Sequence, residues 1–151
     1  MKDKIKVLLV DDHAVVRAGF KLLLSAVTNM DVICEADRGE QAIQLYQQYN
    51  PDVVVMDLSM PGIGGLETIR RMIQRNEAVK ILVFSVHDEQ VYVRRALNAG
   101  AKGYITKNSA PEILPEAIDS IIQGQCYVEQ GLLKDTHSIS IDQDYQKIID
   151  T

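Results

Sequence analysis

The stretch Pro51-Asp52-Val53-Val54-Val55-Met56-Asp57 decides the fold. Four apolar residues, three of them β-branched, read as a strand buried on both faces, the mark of a parallel sheet. The run stops on a bare carboxylate, Asp57. Other segments behave alike. Ile5-Lys6-Val7-Leu8-Leu9-Val10 stops on Asp11 and Asp12, Val79 to Phe84 stops on Ser85, and Ala101 to Thr106 stops on Lys107. Longer stretches of helical periodicity lie between these runs, so the pattern is one of βα units around a parallel sheet.

Working outward, strands are expected at 5–10, 32–36, 53–56, 80–84 and 103–106. Helices are expected at 14–26, 39–49, 66–75 and 89–98, with a fifth starting near Ser109 to Pro111 and stopping at Gly124. Pro115 fits this last helix poorly, because it cannot donate to a carbonyl one turn back, which predicts a late start or a bend. Met60-Pro61-Gly62-Ile63-Gly64-Gly65 reads as a loop. Residues 1–124 are expected to form one domain and 125–151 a linker or tail. Within that tail Gln125-Cys126-Tyr127-Val128 suits a short extended piece, and Ile139, Ile141, Ile148 and Ile149 suit an interaction arm.

Composition narrows the function classes. The chain has 151 residues, 46% of them hydrophobic, enough for one well-cored domain. A net charge of −5 gives no overall footprint for nucleic acid. Arg70-Arg71 and Arg94-Arg95 sit in helical patterns and read as solvated charge. Two cysteines, Cys34 and Cys126, make neither a disulfide framework nor a zinc site, and His13, His87 and His137 lack metal-ligand spacing to one another or to a Cys. Reduced thiols and the lack of a signal-peptide pattern point to the cytoplasm. No apolar run approaches the length of a membrane span.

In an open parallel sheet, ligands bind beyond the carboxyl ends of the strands, where the strand order reverses. Asp11, Asp12, Asp57, Ser85 and Lys107 would share that crevice. Three close carboxylates repel unless a cation sits among them. A small all-oxygen cavity suits Mg²⁺, with Asp12 and Asp57 as direct ligands, the Ser59 carbonyl as another, and Asp11 acting through a metal-bound water. Lys107 supplies a balancing point charge, able to pair with Asp57 and then with a phosphoryl oxygen. Ser85 is either a cap for the fourth helix, alongside Asp88, or a hydroxyl for a phosphoryl oxygen. Carboxylates serve as phosphoryl acceptors. An ionised Asp57 needs no general base, which argues against a hydrolase triad.

Val7-Leu8-Leu9-Val10-Asp11-Asp12-His13, Val55-Met56-Asp57-Leu58-Ser59-Met60-Pro61-Gly62, Phe84-Ser85 and Gly103-Tyr104-Ile105-Thr106-Lys107 together resemble the receiver domain of two-component response regulators, over residues 5 to about 123. Asp-Asp-His, Arg17-Ala18-Gly19 and Ala99-Gly100-Ala101-Lys102-Gly103-Tyr104 are similar to the NarL/FixJ subfamily. The resemblance implies a flavodoxin-like (βα)5 doubly wound sheet with strand order 2-1-3-4-5. It implies Asp57 as the phosphorylation site, Asp11 and Asp12 as acidic metal-site residues, Ser85 as switch hydroxyl, Lys107 as phosphate sensor and Tyr104 as switch aromatic. It also implies a sensor histidine kinase as partner and control of transcription as output. Contact with DNA would come only through a helix-turn-helix domain outside these residues. A phosphorylation-dependent homodimer would use either helix four, strand five and helix five, where Val91, Tyr92 and Val93 lie, or helices one and five. After Lys107, where many receivers have Pro, Asn108 stands here, and a cis bond before it would cost about 3 kcal/mol.

Three rivals fit less well. A flavin-binding module wants a hydroxyl-rich phosphate loop after the first strand, where Asp-Asp-His stands. A haloacid-dehalogenase-type phosphohydrolase wants Asp-x-Asp at its first strand end. A stand-alone or pseudo-receiver interaction module would not need the full set of acids, hydroxyl and lysine.

Overall fold

The computed structural model describes residues 4–27 and 29–133, and the expected interaction arm beyond 133 lies outside them. Six strands form one sheet: β1 (Ile5–Val10), β2 (Met30–Ala36), β3 (Val53–Met56), β4 (Ile81–Ser85), β5 (Gly103–Thr106) and β6 (Tyr127–Val128). The helices are α1 (Ala14–Ser25), α2 (Gly39–Tyr49), α3 (Gly64–Arg75), α4 (Gln90–Ala99) and α5 (Ala110–Ile122). The strand order is β2-β1-β3-β4-β5-β6, with every neighbouring pair parallel. The expected 2-1-3-4-5 core is present. The sheet is one strand wider than expected, because Tyr127 and Val128 pair with Gly103 and Tyr104 after α5 crosses over.

Period-two alternation sends the strands' side chains into two cores. Val7, Leu9, Val53, Val55, Leu82, Phe84 and Ile105 pack with Phe20 and Leu24 of α1 and Leu114, Ile118 and Ile121 of α5. Leu8, Val10, Val54, Met56, Ile81, Val83 and Tyr104 pack with residues of α2, α3 and α4 on the other face. Each buried aliphatic side chain contributes about 1.5–3 kcal/mol, so the central strands hold the domain together. Phe20 meets Phe84 edge to face at 5.1 Å, clamping α1 to β4.

Most boundaries fall where the sequence puts them. β2 starts two residues early and α3 includes Gly64 and Gly65. Gly65 is there for a steric reason: a Cβ on it would lie 2.6 Å from the Leu58 Cα, so only glycine lets α3 start against the end of β3. α5 does not start late at Pro115. It begins at Ala110, with Pro111 in its first turn, and runs through Pro115. The bond that Pro115 forfeits is to the carbonyl of Pro111, and buried Leu114, Ala117, Ile118 and Ile121 hold the helix regardless. On α4 the Val91-Tyr92-Val93 triplet is split: Val91 is exposed, Tyr92 half-buried, and Val93 packs on the sheet. The peptide bonds of the described residues, Lys107–Asn108 included, are trans.

Candidate functional site

The strand order reverses between β1 and β3. β1 connects outward to β2, and the next connection returns across it to β3. Backbone pairing sets the acids side by side at this point: Val10 pairs with Met56, and the Asp57 N–H donates to the Val10 carbonyl at 2.9 Å. On the other side Ser85 pairs with Thr106, and the Lys107 N–H donates to the Ser85 carbonyl at 2.8 Å. Residues far apart in the chain thus meet at one crevice.

Asp11 and Asp57 are buried, Asp12 is exposed, and Lys107 reaches between the two buried acids. Its ammonium donates to Asp11 Oδ2 at 2.8 Å and Asp57 Oδ2 at 3.1 Å. Below, the ammonium lies 5.1 Å from the Phe84 ring centroid. Burial raises the Asp57 pKa above the ordinary carboxylate value. The Lys107 charge and the Ser59 N–H, which donates to Asp57 Oδ1 at 3.2 Å, oppose that rise without cancelling it. For Lys107, burial works to lower the pKa, but the hydrogen bond to Asp11 and the charge of Asp57 outweigh it and hold the group above its ordinary value.

Two buried carboxylates and one ammonium leave an excess of negative charge, and exposed Asp12 adds to it. Ligand atoms of Asp11, Asp12, His13 and Asp57 all lie within 4.8 Å of one another. This carboxylate-rich donor set, open to solvent at Asp12 and His13, fits a hard divalent cation such as Mg²⁺ that keeps several waters.

Ser85 is buried at the carboxyl end of β4, the strand next to β3, and its Oγ accepts the His87 N–H at 3.0 Å. That bond lies in the loop before α4, whose N-cap is Glu89 without a side-chain cap, so Ser85 does not cap the helix. Tyr104 is buried, and its hydroxyl donates to the His87 carbonyl at 2.7 Å. The ring therefore lies inward, and burial pushes its pKa up to about 12. His87 stacks on Tyr92 at 4.3 Å, and its Nε2 lies 3.3 Å from Ser59 Oγ.

Some participants escaped the sequence reading. His13 Nδ1 lies 2.9 Å from Asp11 Oδ1 and 3.1 Å from Asp12 Oδ1. Spacing to other His or Cys residues could not find it, because its partners are the adjacent acids. Arg17 donates to the Asp11 carbonyl and pairs with Glu35 at 3.1 Å. Glu129 accepts bonds from Thr106 and Ser109, on either side of Lys107, and nothing local in the sequence announces it.

Residues 7–119 match the response regulator receiver domain family. The transcriptional activator protein ExaE of Pseudomonas putida is 44% identical over 126 residues, covering 83% of this chain and 59% of that protein. The crystal structure of a LuxR-family two-component response regulator from Aurantimonas sp. SI85-9A1 superposes with a TM-score of 0.84 at 37% identity, covering 87% of this chain and 94% of that one. The signal receiver domain of the response regulator NarL from Mycobacterium tuberculosis gives 0.77 at 32% identity, covering 82% and 100%. The chain spans about three fifths of the length of the curated relatives it matches.

Proposed function

The chain belongs to the family of response regulator receiver domains, with relatives of the NarL/FixJ type, and on that premise we propose that it is cytoplasmic and accepts a phosphoryl group on Asp57 from a sensor histidine kinase. The observation that carries this reading is the Lys107 ammonium held between Asp11 and Asp57 at the carboxyl ends of the strands. An Asp57 carboxylate oxygen attacks phosphorus, the P–N bond of the donor phosphohistidine breaks, and the imidazole leaves. No proton is taken from Asp57, so no base is required. Lys107 turns from Asp57 to a phosphoryl oxygen and neutralises part of the added charge. The Ser85 hydroxyl, at the end of the neighbouring strand, donates to another.

Asp11, Asp12, Asp57 and the Ser59 carbonyl would hold the cation, with His13 orienting the first two. Mg²⁺, when bound, supplies charge neutralisation to the phosphoryl oxygens. The group acts as a phosphoacceptor and not as a classical enzyme. In the whole protein the output is control of transcription, exerted through a DNA-binding region beyond the residues described, and the named relatives support that assignment. No helix among the described residues is long and apolar enough to cross a membrane.

Phosphorylation promotes a homodimer through α1 and α5 in this reading. On α1, Val15 is 84% and Leu22 74% exposed. On the alternative face of α4, β5 and α5, the large exposed hydrophobic side chain is Val91, at 47%. The test is incubation with acetyl phosphate and Mg²⁺ followed by intact-mass measurement. A gain of one phosphoryl group, absent in Asp57→Ala and without Mg²⁺, is expected. No gain in the wild-type chain would leave an interaction module with no phosphoacceptor role.

A further inference from the structure

The segment after α5 does not leave the domain. The Tyr127 N–H donates to the Lys102 carbonyl and the Glu129 N–H to the Tyr104 carbonyl, each at 3.0 Å. Leu132 is buried against the core that contains Tyr104. The Glu129 carboxylate then reaches back over the end of β5. Its Oε1 accepts the Thr106 N–H at 2.8 Å and the Thr106 hydroxyl at 3.0 Å, and its Oε2 accepts the Ser109 hydroxyl at 3.0 Å. Thr106 and Ser109 bracket Lys107, whose ammonium is bound to Asp11 and Asp57.

We infer that Glu129 is a clasp that couples the state of Asp57 to the docking of residues 125–133. The inference rests on the reading of Asp57 as phosphoacceptor. Three donors from two residues must converge on one carboxylate, and they converge while Lys107 spans the two acids. Any shift of the Lys107 backbone toward a group on Asp57 moves Thr106 on one side and Ser109 on the other. One carboxylate cannot follow both. The closed clasp therefore favours the unmodified state, and loading Asp57 releases the segment. Coupling between two sites is reciprocal, so removing the clasp favours loading. Glu129 acts through Lys107 and touches no phosphoryl group, which makes it a positioning residue.

The test uses beryllofluoride with Mg²⁺ as the phosphoryl mimic on the 151-residue chain. Fluorine NMR reports whether the mimic binds, and amide hydrogen exchange reports the clasp. With the mimic bound, exchange at Thr106, Tyr127 and Glu129 should speed up about tenfold, a typical coupling between sites. Glu129→Ala should show that fast exchange without the mimic and bind beryllofluoride about tenfold tighter. Bound mimic with unchanged exchange at these amides overturns the clasp and leaves the phosphoacceptor reading intact. Unchanged beryllofluoride affinity in Glu129→Ala also overturns it. Absence of any bound fluorine signal in the wild-type chain overturns the phosphoacceptor reading and the clasp with it.

Discussion

Replacing Lys107 by Met keeps a stem over the Phe84 ring and removes the charge between the two buried acids. The lost contacts are 2.8 Å and 3.1 Å long. At an effective dielectric of about 20, each is about 5–6 kcal/mol before the desolvation of the ammonium is subtracted. Removing one partner of a buried pair usually costs about 3–5 kcal/mol, because the remaining charge stays uncompensated. The Lys107 side chain is 14% exposed, so water recovers a little, and a loss of about 3 kcal/mol is expected at neutral pH without divalent cations. In urea that moves the midpoint down by about 1.5 M. Burial raises the Asp57 pKa, so the cost of its charge is absent below the ordinary value of 3.8 and complete once pH has risen through the folded value. The deficit of Lys107→Met should accordingly shrink as pH falls through the raised Asp57 pKa. At the alkaline end the raised Lys107 pKa acts in the same direction: its contribution is complete below 10.5 and lost as pH rises through the folded value, so the deficit shrinks there too. Lys107→Met with Asp57→Asn should recover most of the loss. A deficit under about 1 kcal/mol would refute the ion-pair reasoning, since truncating one partner of a buried pair should cost several times that. So would a double variant no more stable than the single one.

Tyr104→Phe removes the donor to the His87 carbonyl and should cost about 1–2 kcal/mol in thermal or urea unfolding. Absorbance titration should find Tyr104 and Tyr127 ionising near 12. Stability held by the protonated Tyr104 is complete below its ordinary value of 10.0 and declines as pH approaches about 12. Gly39→Ala would set a Cβ 1.8 Å from the Thr68 Oγ1, whose hydroxyl donates to the Gly64 carbonyl at 2.6 Å, and overpacking there should cost about 3 kcal/mol in urea unfolding. Addition of Mg²⁺ should raise the melting temperature of the wild-type chain by mass action and leave Asp12→Ala with Asp57→Asn nearly unmoved in calorimetry.

The ends of β1, β3, β4 and β5 were legible because each of these apolar runs stops on an acid, a hydroxyl or a lysine. Val53 to Met56 followed by Asp57 is a continuous hydrophobic signal ended by a charge, and the pairing of β1 with β3 does the rest. β6 was legible only as a short extended piece. Two residues carry too little pattern to announce a strand, and its place is set by the pairing with Gly103, where any Cβ would meet the Tyr127 carbonyl at 2.5 Å. The start expected near Ser109 to Pro111 holds at Ala110; the late start that Pro115 offered as one alternative does not occur, because the packing of Leu114 and Ile118 carries the helix through it. The inward Tyr104 and the clasp of Glu129 were hidden for one reason: both depend on hydrogen bonds between residues 17 to 23 positions apart.

Chemical trapping of the modified residue tests the central claim most directly. After incubation with acetyl phosphate and Mg²⁺, borohydride reduction converts an acyl phosphate to a stable alcohol that peptide mass spectrometry can locate. The account predicts homoserine at position 57 and nowhere else. Reduction at Asp11 or Asp12 instead, or an unmodified Asp57 in a chain that has gained phosphate, would contradict it.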